Sequence, residues 1–323
     1  MSTGAASAHP NIAFIKYWGN RDHHLRIPSN GSISMNLGGL ETQTTVNFDN
    51  LLKEDVLVWD GKIQIGAALQ RVMSVLEKVR ALSGLESYAK VESNNNFPAG
   101  TGIASSASAF AALSMAASCA AGLDLSEAQL SRIARLGSGS ACRSIPSGFV
   151  EWQAGNDDIS SYAYSIAPAD HWDLSDCIAV ISKTHKSTSS EAGHVLADSS
   201  PFQAVRTKSA LERLEICRNA ILTRDFDAFA EVTEFDSNMM HAVIMTSHPP
   251  VIYWLPATLQ VIHEVIKMRI NGTPVFYTID AGPNVHVICA QEDSPLVSSY
   301  IIDIPGVEDV IIAHPGGPAS CSN

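Results

Sequence analysis

Asn94 to Ala117 reads N-N-N-F-P-A-G-T-G-I-A-S-S-A-S-A-F-A-A-L-S-M-A-A, a glycine-containing loop that runs directly into a helix of small residues. Gly100 and Gly102 lack a Cβ and let the backbone approach an anion, while Ser105, Ser106 and Ser108 crowd the first helical turn with hydroxyls. The first N–H groups of that turn and the positive end of the helix dipole face the same point, so the junction is a candidate phosphate cradle. A Walker loop needs G-x-x-x-x-G-K-[ST], and no lysine follows Gly102, so the cradle is of another kind. On its residues alone the stretch also reads as a small-residue helix packed tightly behind a turn.

Around this junction, 323 residues with 46% hydrophobic and 17% charged side chains can bury a sizeable core in one large or two modest domains. Apolar stretches break off well before the roughly 20 residues of a membrane span, and Met1 to Pro10 lacks the features of a secretory signal, so a cytoplasmic location is expected. A net charge of −12 argues against nucleic acid or an anionic membrane as partner. Six cysteines without C-x-x-C or Cys/His clustering point to neither zinc nor a disulfide framework, and are expected to be reduced thiols.

Runs of β-branched and aromatic residues predict strands at Ser32 to Leu37, Thr42 to Phe48, Val56 to Trp59, Ala89 to Glu92 and Phe149 to Gln153. Helical spacing predicts Gly66 to Leu82, Ser105 to Ala121 and a helix capped by Ser126. The second half opens with a strand at Cys177 to Ser182. It continues with helices at Val205 to Leu222, Phe226 to His241 and Ala257 to Asn271, strands at Val275 to Ile279 and Val285 to Cys289, and a helix at Ser294 to Ile302. This order predicts a two-layer, ferredoxin-like α+β domain at 176–323 behind a first domain at 1–175.

Three further segments accompany the glycine loop: N-I-A-F-I-K-Y-W-G-N-R-D (Asn11 to Asp22), G-S-G-S-A-C-R-S-I-P-S-G-F-V-E-W (Gly137 to Trp152) and T-I-D-A-G-P-N-V (Thr278 to Val285). Together they resemble the GHMP kinase superfamily, and within it the mevalonate diphosphate and phosphomevalonate decarboxylases, over about Asn11 to Ile312. The resemblance implies an α+β, GHMP-kinase-like fold: an N-terminal ribosomal-protein-S5-like domain, a C-terminal ferredoxin-like α/β sandwich, and the active site in the cleft between. It also implies ATP and Mg2+ as cofactors, a homodimer, and decarboxylation of a phosphorylated 3-hydroxy-3-methyl acid.

That chemistry needs a tertiary hydroxyl aligned with a γ-phosphate and relieved of its proton. Asp280 is the candidate base, although D-A-G-P alone also reads as a turn. Lys16, in an otherwise apolar and aromatic run, is the proposed ion-pair partner of Asp280, or else a lysine snorkelling at a sheet rim. Arg143, among small residues, would take the substrate carboxylate with its planar fork. Ser138 and Ser140 would donate to substrate phosphate or carboxylate, although serines between glycines also read as turn residues. By carry-over from the family, Asn11, Tyr17 and Ser190 complete the substrate shell. Pro98, Ala99, Gly100, Gly102, Ser105, Ser106 and Ala107 form the nucleotide cradle, with Ser105 a Mg2+ contact.

The chain departs from the diphosphate-handling pattern at one end. Asn20 stands where a lysine is usual in Y-W-G-K, Glu191 where some bacterial relatives carry arginine, His194 where methionine is usual, and Pro146-Ser147 where an aromatic-glycine pair follows R-S-[LI]. A carboxylate at Glu191 about 4 Å from a terminal phosphate would oppose it by up to ~4 kcal/mol at an effective dielectric of 20. These changes predict a substrate altered from the 5-diphosphate to the 5-monophosphate. An unaltered diphosphate enzyme is the first alternative, and a 3-hydroxyl kinase that stops before decarboxylation is the second.

Overall fold

Alternation decides the first layer of the computed structural model, which describes residues 2–97, 105–184 and 188–322. Thr42–Asp49 and Tyr88–Asn95 bury every second residue, as strands do with one face on a core. They lie inside a six-stranded sheet of order 320–322, 2–8, 42–49, 88–95, 56–59, 62–64, in which only 56–59 and 88–95 run parallel. Helices Ala67–Ser83, Ser105–Ala120 and Glu127–Gly137 cover the buried face around Val46, Phe48, Val75, Leu113 and Ile133. Ser126 and Gln129 close the expected capping box at the start of the third helix.

Ser2–Ala8 was not among the predicted strands. Its sequence S-T-G-A-A-S-A has little intrinsic preference for extended structure, and backbone pairing with 42–49 along its whole length makes it one. Small residues let it rest directly on the Ser105–Ala120 helix: a Cβ on Gly4 would lie 2.4 Å from Ala116 O and 2.5 Å from Ala120 N.

The second sheet has the order 163–167, 149–152, 32–38, 309–315, 174–180, 285–290, 275–278, and Asn11–Ile15 also pairs with Ser32–Gly38. Within the second half the strands follow the order 4-1-3-2, the ferredoxin-like arrangement predicted. Its helices, however, cover both faces. Leu214, Ile221 and Phe229, from Ala210–Thr223 and Phe226–Met245, pack with Ile178, Phe276 and Ile288 on one side. Val261, Val265, Val297 and Ile301, from Pro256–Ile270 and Ser294–Ile302, pack with Cys177, Ala179 and Val287 on the other. Leu174–Val180 is therefore buried at every residue. The predicted helix Val205 to Leu222 divides into Gln203–Lys208 and Ala210–Thr223 at Ser209, whose hydroxyl donates to Val205 O at 3.0 Å and accepts from Arg213 Nη1 at 2.6 Å.

Strands also bind the halves together. Asp309–Pro315 pairs with 174–180 along most of its length and with 32–38 at its end, and Ser320–Ser322 returns to the first sheet beside 2–8. That return joins Cys321 to Cys119 in a disulfide across 202 residues of chain, which corrects the reading of all six cysteines as thiols. Spacing could not reveal a pair made by a strand coming back from the far end of the chain. Cys142, Cys177, Cys217 and Cys289 are buried and free. No helix among the described residues is long and apolar enough to cross a membrane.

Gly4→Ala should cost about 1–3 kcal/mol, because the added methyl meets helix backbone that cannot move aside. Gly317→Ala, with no atom within 4 Å of the new Cβ, should stay within about 0.5 kcal/mol. Thermal unfolding of the two variants checks the contrast.

Candidate active site

The buried strand Asn11–Ile15 leaves the second sheet at Lys16, and polar groups from three directions fix its path there. Asp236, on the Phe226–Met245 helix, accepts the Lys16 N–H at 2.6 Å. Lys16 O accepts from Asn30 Nδ2 at 3.0 Å and Arg206 Nη2 at 2.6 Å. Arg213 Nε closes on the other oxygen of Asp236 at 2.6 Å. The lysine side chain, 1% exposed, then reaches the Asp280 carboxylate with Nζ to Oδ1 at 2.6 Å.

Asp280 follows the strand Val275–Thr278, and its position is set as tightly. Thr278 Oγ1 donates to Ala13 O at 3.2 Å, laying the two strand ends together. The Ile279 N–H donates to Ser237 Oγ at 3.1 Å, and His241 Nε2 lies 3.3 Å from Ile279 O. A Gly282 N–H to Asp280 O bond of 2.7 Å makes D-A-G-P a turn, and that turn leaves Asp280 on a cavity wall.

Burial pulls Lys16 below its usual range, against the pull of Asp280 and Asp236. For Asp280 burial acts upward, but Lys16, His286 and Arg143 outweigh it and keep the carboxyl below its ordinary value. Burial holds His241 down at about 3, so its imidazole is neutral beside the pair. At neutral pH Asp280 is an ionised carboxylate aimed into a cavity.

Arg143, in the 3-10 turn Gly139–Ser144, lines the same cavity. Its Nε and Nη2 donate to Asn11 Oδ1 at 3.2 and 3.0 Å, and its Nη1 donates to Ser32 Oγ at 2.6 Å. Asn11 in turn donates to Ser140 O at 3.1 Å and Ser144 Oγ at 2.8 Å. Asn11, itself buried, therefore stands one layer back and aims the arginine.

The cavity holds about 260 Å³ and draws its wall from both halves of the chain. Ser105 and Ser106, at the start of the Ser105–Ala120 helix, face it. From there hydroxyls continue as a row, with Ser106 Oγ 3.2 Å from Ser138 Oγ and Ser138 Oγ 3.4 Å from Ser140 Oγ. Ser190 lines it from the helix Ser190–Leu196. Ala107 is buried in its helix, and Pro98, Ala99, Gly100 and Gly102 lie outside the described residues. Arg71 and Ser106 also border a second cavity of about 110 Å³, walled by Leu57, Trp59, Val72, Phe110 and Leu113.

Tyr17, Glu191 and His194 form the far wall. Tyr17 lies against Gly139, where a Cβ would come within 2.5 Å of its ring, and donates its hydroxyl to Asn20 Oδ1 at 2.5 Å. Asn20 is thus a buried support for Tyr17 and, like Asn11, stands behind the wall. His194 stacks on Tyr17 at 4.1 Å between ring centres, and its Nδ1 accepts the Gly19 N–H at 3.0 Å. Glu191 is paired to Arg26 at 2.6 Å. Pro146 stands away from the cavity, its carbonyl accepting from Asn36 Nδ2 at 2.6 Å. Sequence reasoning missed Arg26 and Arg71, both on the wall. No motif marks them, and only a count of the few basic residues near the motifs would have raised them.

The first half, residues 8–163, matches the model of the diphosphomevalonate decarboxylase-like N-terminal domain, and residues 177–313 match the mevalonate 5-diphosphate decarboxylase C-terminal domain. The chain belongs to the mevalonate diphosphate decarboxylase family. It is 40% identical over 322 residues to the diphosphomevalonate decarboxylase of Ganoderma lucidum, covering 92% of this chain and 80% of that one. It is 36% identical over 319 residues to the phosphomevalonate decarboxylase of Haloferax volcanii, covering 97% and 96%. A solved structure described as MDDEF in complex with MVAPP, AMPPCP and magnesium superposes with a TM-score of 0.94 at 36% identity, covering 100% of this chain and 99% of that one. As a decarboxylase of this family, the protein catalyses ATP-dependent decarboxylation of a phosphorylated mevalonate.

In this decarboxylase Asp280→Asn keeps the side-chain shape and removes the charge, so CO2 release should fall by about 10²–10⁴-fold. Near-normal turnover would rule Asp280 out as the candidate base. The ion pair survives between two limits: Asp280 protonates only below its ordinary 3.8, and Lys16 loses its proton below its ordinary 10.5. Activity should therefore decline on the alkaline side before pH 10.5, with that limb moving upward in Lys16→Arg; a pH profile of kcat measures it.

Proposed function

We propose that the protein converts (R)-5-phosphomevalonate to isopentenyl phosphate, with ATP consumed to ADP and phosphate and CO2 released, within a mevalonate route of isoprenoid biosynthesis. The observation that carries this reading is the charge state of the far wall. Glu191 holds a negative charge there, paired to Arg26, and Asn20, behind the wall and engaged with Tyr17, adds no cation to it, so the wall suits fewer anionic groups than one lined by lysine and arginine alone. The Haloferax volcanii phosphomevalonate decarboxylase, 36% identical and covered over 96% of its length, is a relative with that activity.

Asp280 accepts the proton of the substrate's tertiary hydroxyl, and Lys16 keeps that carboxylate ionised and oriented. The freed oxygen attacks the γ-phosphoryl group in line, and the bond from that phosphorus to the bridging oxygen breaks to release ADP. Phosphate then departs from the tertiary carbon, the bond to the carboxyl group breaks, its electron pair forms the alkene, and CO2 leaves. Arg143, fixed by Asn11 and Ser32, orients that carboxylate. The serine row and the helix start at Ser105 supply donors to the triphosphate, and the adjoining apolar cavity suits a planar base. Ser105 and Ser106 offer oxygen donors of the kind Mg2+ takes, and no cluster of carboxylates among the described residues would hold the ion unaided. Magnesium bound with ATP offsets charge on the transferred phosphoryl group.

Two observations favour the diphosphate instead: Arg26 and Arg71 both face the cavity, and the Ganoderma lucidum relative, at 40% identity, is a diphosphomevalonate decarboxylase. Parallel assays of ATP-dependent CO2 release from mevalonate 5-phosphate and mevalonate 5-diphosphate separate the readings. A higher kcat/KM for the monophosphate is expected. A higher value for the diphosphate would overturn the proposal, and ADP formation without CO2 would indicate a kinase.

A further inference from the structure

Arg26 occupies a backbone conformation that glycine adopts more readily, with φ at +52° in the turn between Asn20–Asp22 and Ile27–Pro28. The turn is pinned in that shape. Leu25 N–H donates to Asp22 Oδ1 at 2.8 Å, and Arg135 Nε donates to Leu25 O at 2.9 Å. An arginine kept in such a place beside a cavity calls for a reason in its side chain.

That side chain is 13% exposed, and its Nε donates to Leu136 O at 3.1 Å, which fixes the direction of the guanidinium fork. One arm, Nη2, meets Glu191 Oε1 at 2.6 Å, and the fork forms part of the cavity wall. Glu191 is 50% exposed, on the first turn of Ser190–Leu196, so it can turn to solvent while the anchored arginine stays. Arg71 completes the corner, with Nε donating to Gly137 O at 2.8 Å and its guanidinium 4.6 Å over the Phe110 ring.

We infer that Arg26 is a ligand of the substrate's 5-phosphate, and that Glu191 is a resident counter-anion which the phosphate displaces from it. The identity of the anion rests on the phosphomevalonate reading; the assignment of Arg26 rests on the geometry. A planar fork that accepts a carboxylate accepts a phosphate through the same donors. Glu191, remaining close by, opposes each additional negative charge and so sets a preference for one phosphate group over two.

The test uses the full-length protein and steady-state CO2 release with mevalonate 5-phosphate, mevalonate 5-diphosphate and unphosphorylated mevalonate. Arg26→Gly suits the left-handed backbone and removes the fork, so folding is preserved; Glu191→Gln removes the counter-anion. Arg26→Gly should raise KM for the phosphorylated substrate about 10- to 100-fold, with KM for ATP unchanged and no effect on unphosphorylated mevalonate. Glu191→Gln should lower KM, more for the diphosphate than for the monophosphate. Opposite signs from the two partners are the signature of displacement. Equal increases in KM from both variants would identify a merely structural ion pair, and an unchanged KM in Arg26→Gly would likewise overturn the assignment. A wild-type preference for the diphosphate, with these opposite signs retained, would overturn the substrate reading while leaving Arg26 as the phosphate ligand.

Discussion

A buried ammonium is among the most expensive groups a fold can contain, and this structure is arranged to hold one at Lys16. Its partner Asp280 offsets the lost hydration only because the two side chains meet at 2.6 Å, and that distance depends on where two chain segments separated by more than 260 residues come to rest. The Asp236 clamp supplies the first constraint, since its two oxygens tie the Lys16 backbone to the Arg213 guanidinium. Thr278 supplies the second by bonding across to Ala13. Removing one partner from such a buried pair generally costs about 3–5 kcal/mol, so the groups around Lys16 serve stability and chemistry together.

Once that pair is in place, the rest of the site follows as layers around it. Asn11 and Ser32 hold Arg143 from behind, so a second cation on the cavity wall is oriented by the protein's own groups. The serine row belongs to the other layer, where small residues let the Ser105–Ala120 helix press against the first sheet and bring its N-terminal hydroxyls to the seam. Glycines make the close contacts: Gly139 admits the Tyr17 ring, and Gly193 admits Trp18, where a Cβ would come within 2.4 Å of the indole. The cavity is thus a product of both halves, and the strand Asp309–Pro315, shared between them, keeps the halves in register.

Most elements with a strong apolar or β-branched pattern were legible in the chain, among them Thr42–Asp49, the Ser126-capped helix and the strands on either side of D-A-G-P. Ser2–Ala8 was not, because its small side chains carry no pattern and its pairing is with strands far away. The Cys119–Cys321 link escaped for the same reason. At the site, Asp280, Lys16 and Arg143 were grouped from the sequence and line one cavity, while the bonds of Asn11 to Ser140 and of Asn20 to Tyr17 were not legible. Glu191 was read as an isolated charge facing a phosphate. Its meaning changes when Arg26 is found against it, and no local motif relates two residues 165 positions apart.

By itself the sequence determined the chemistry available: a glycine loop before a serine-rich helix start, a carboxylate in a turn, a lysine in an apolar run and an arginine among small residues. These are properties of residue type and short spacing, which the chain carries in any conformation. Which groups touch was decided only by tertiary structure. Asn11 became a support for Arg143, Lys16 an ion-pair partner in place of a rim lysine, and Glu191 a partner of Arg26. The physical reason is that electrostatic and hydrogen-bonding roles depend on distances of a few ångströms and on exclusion of water. Both are set by how strands from the two ends of the chain pack together, and neither is encoded in local spacing.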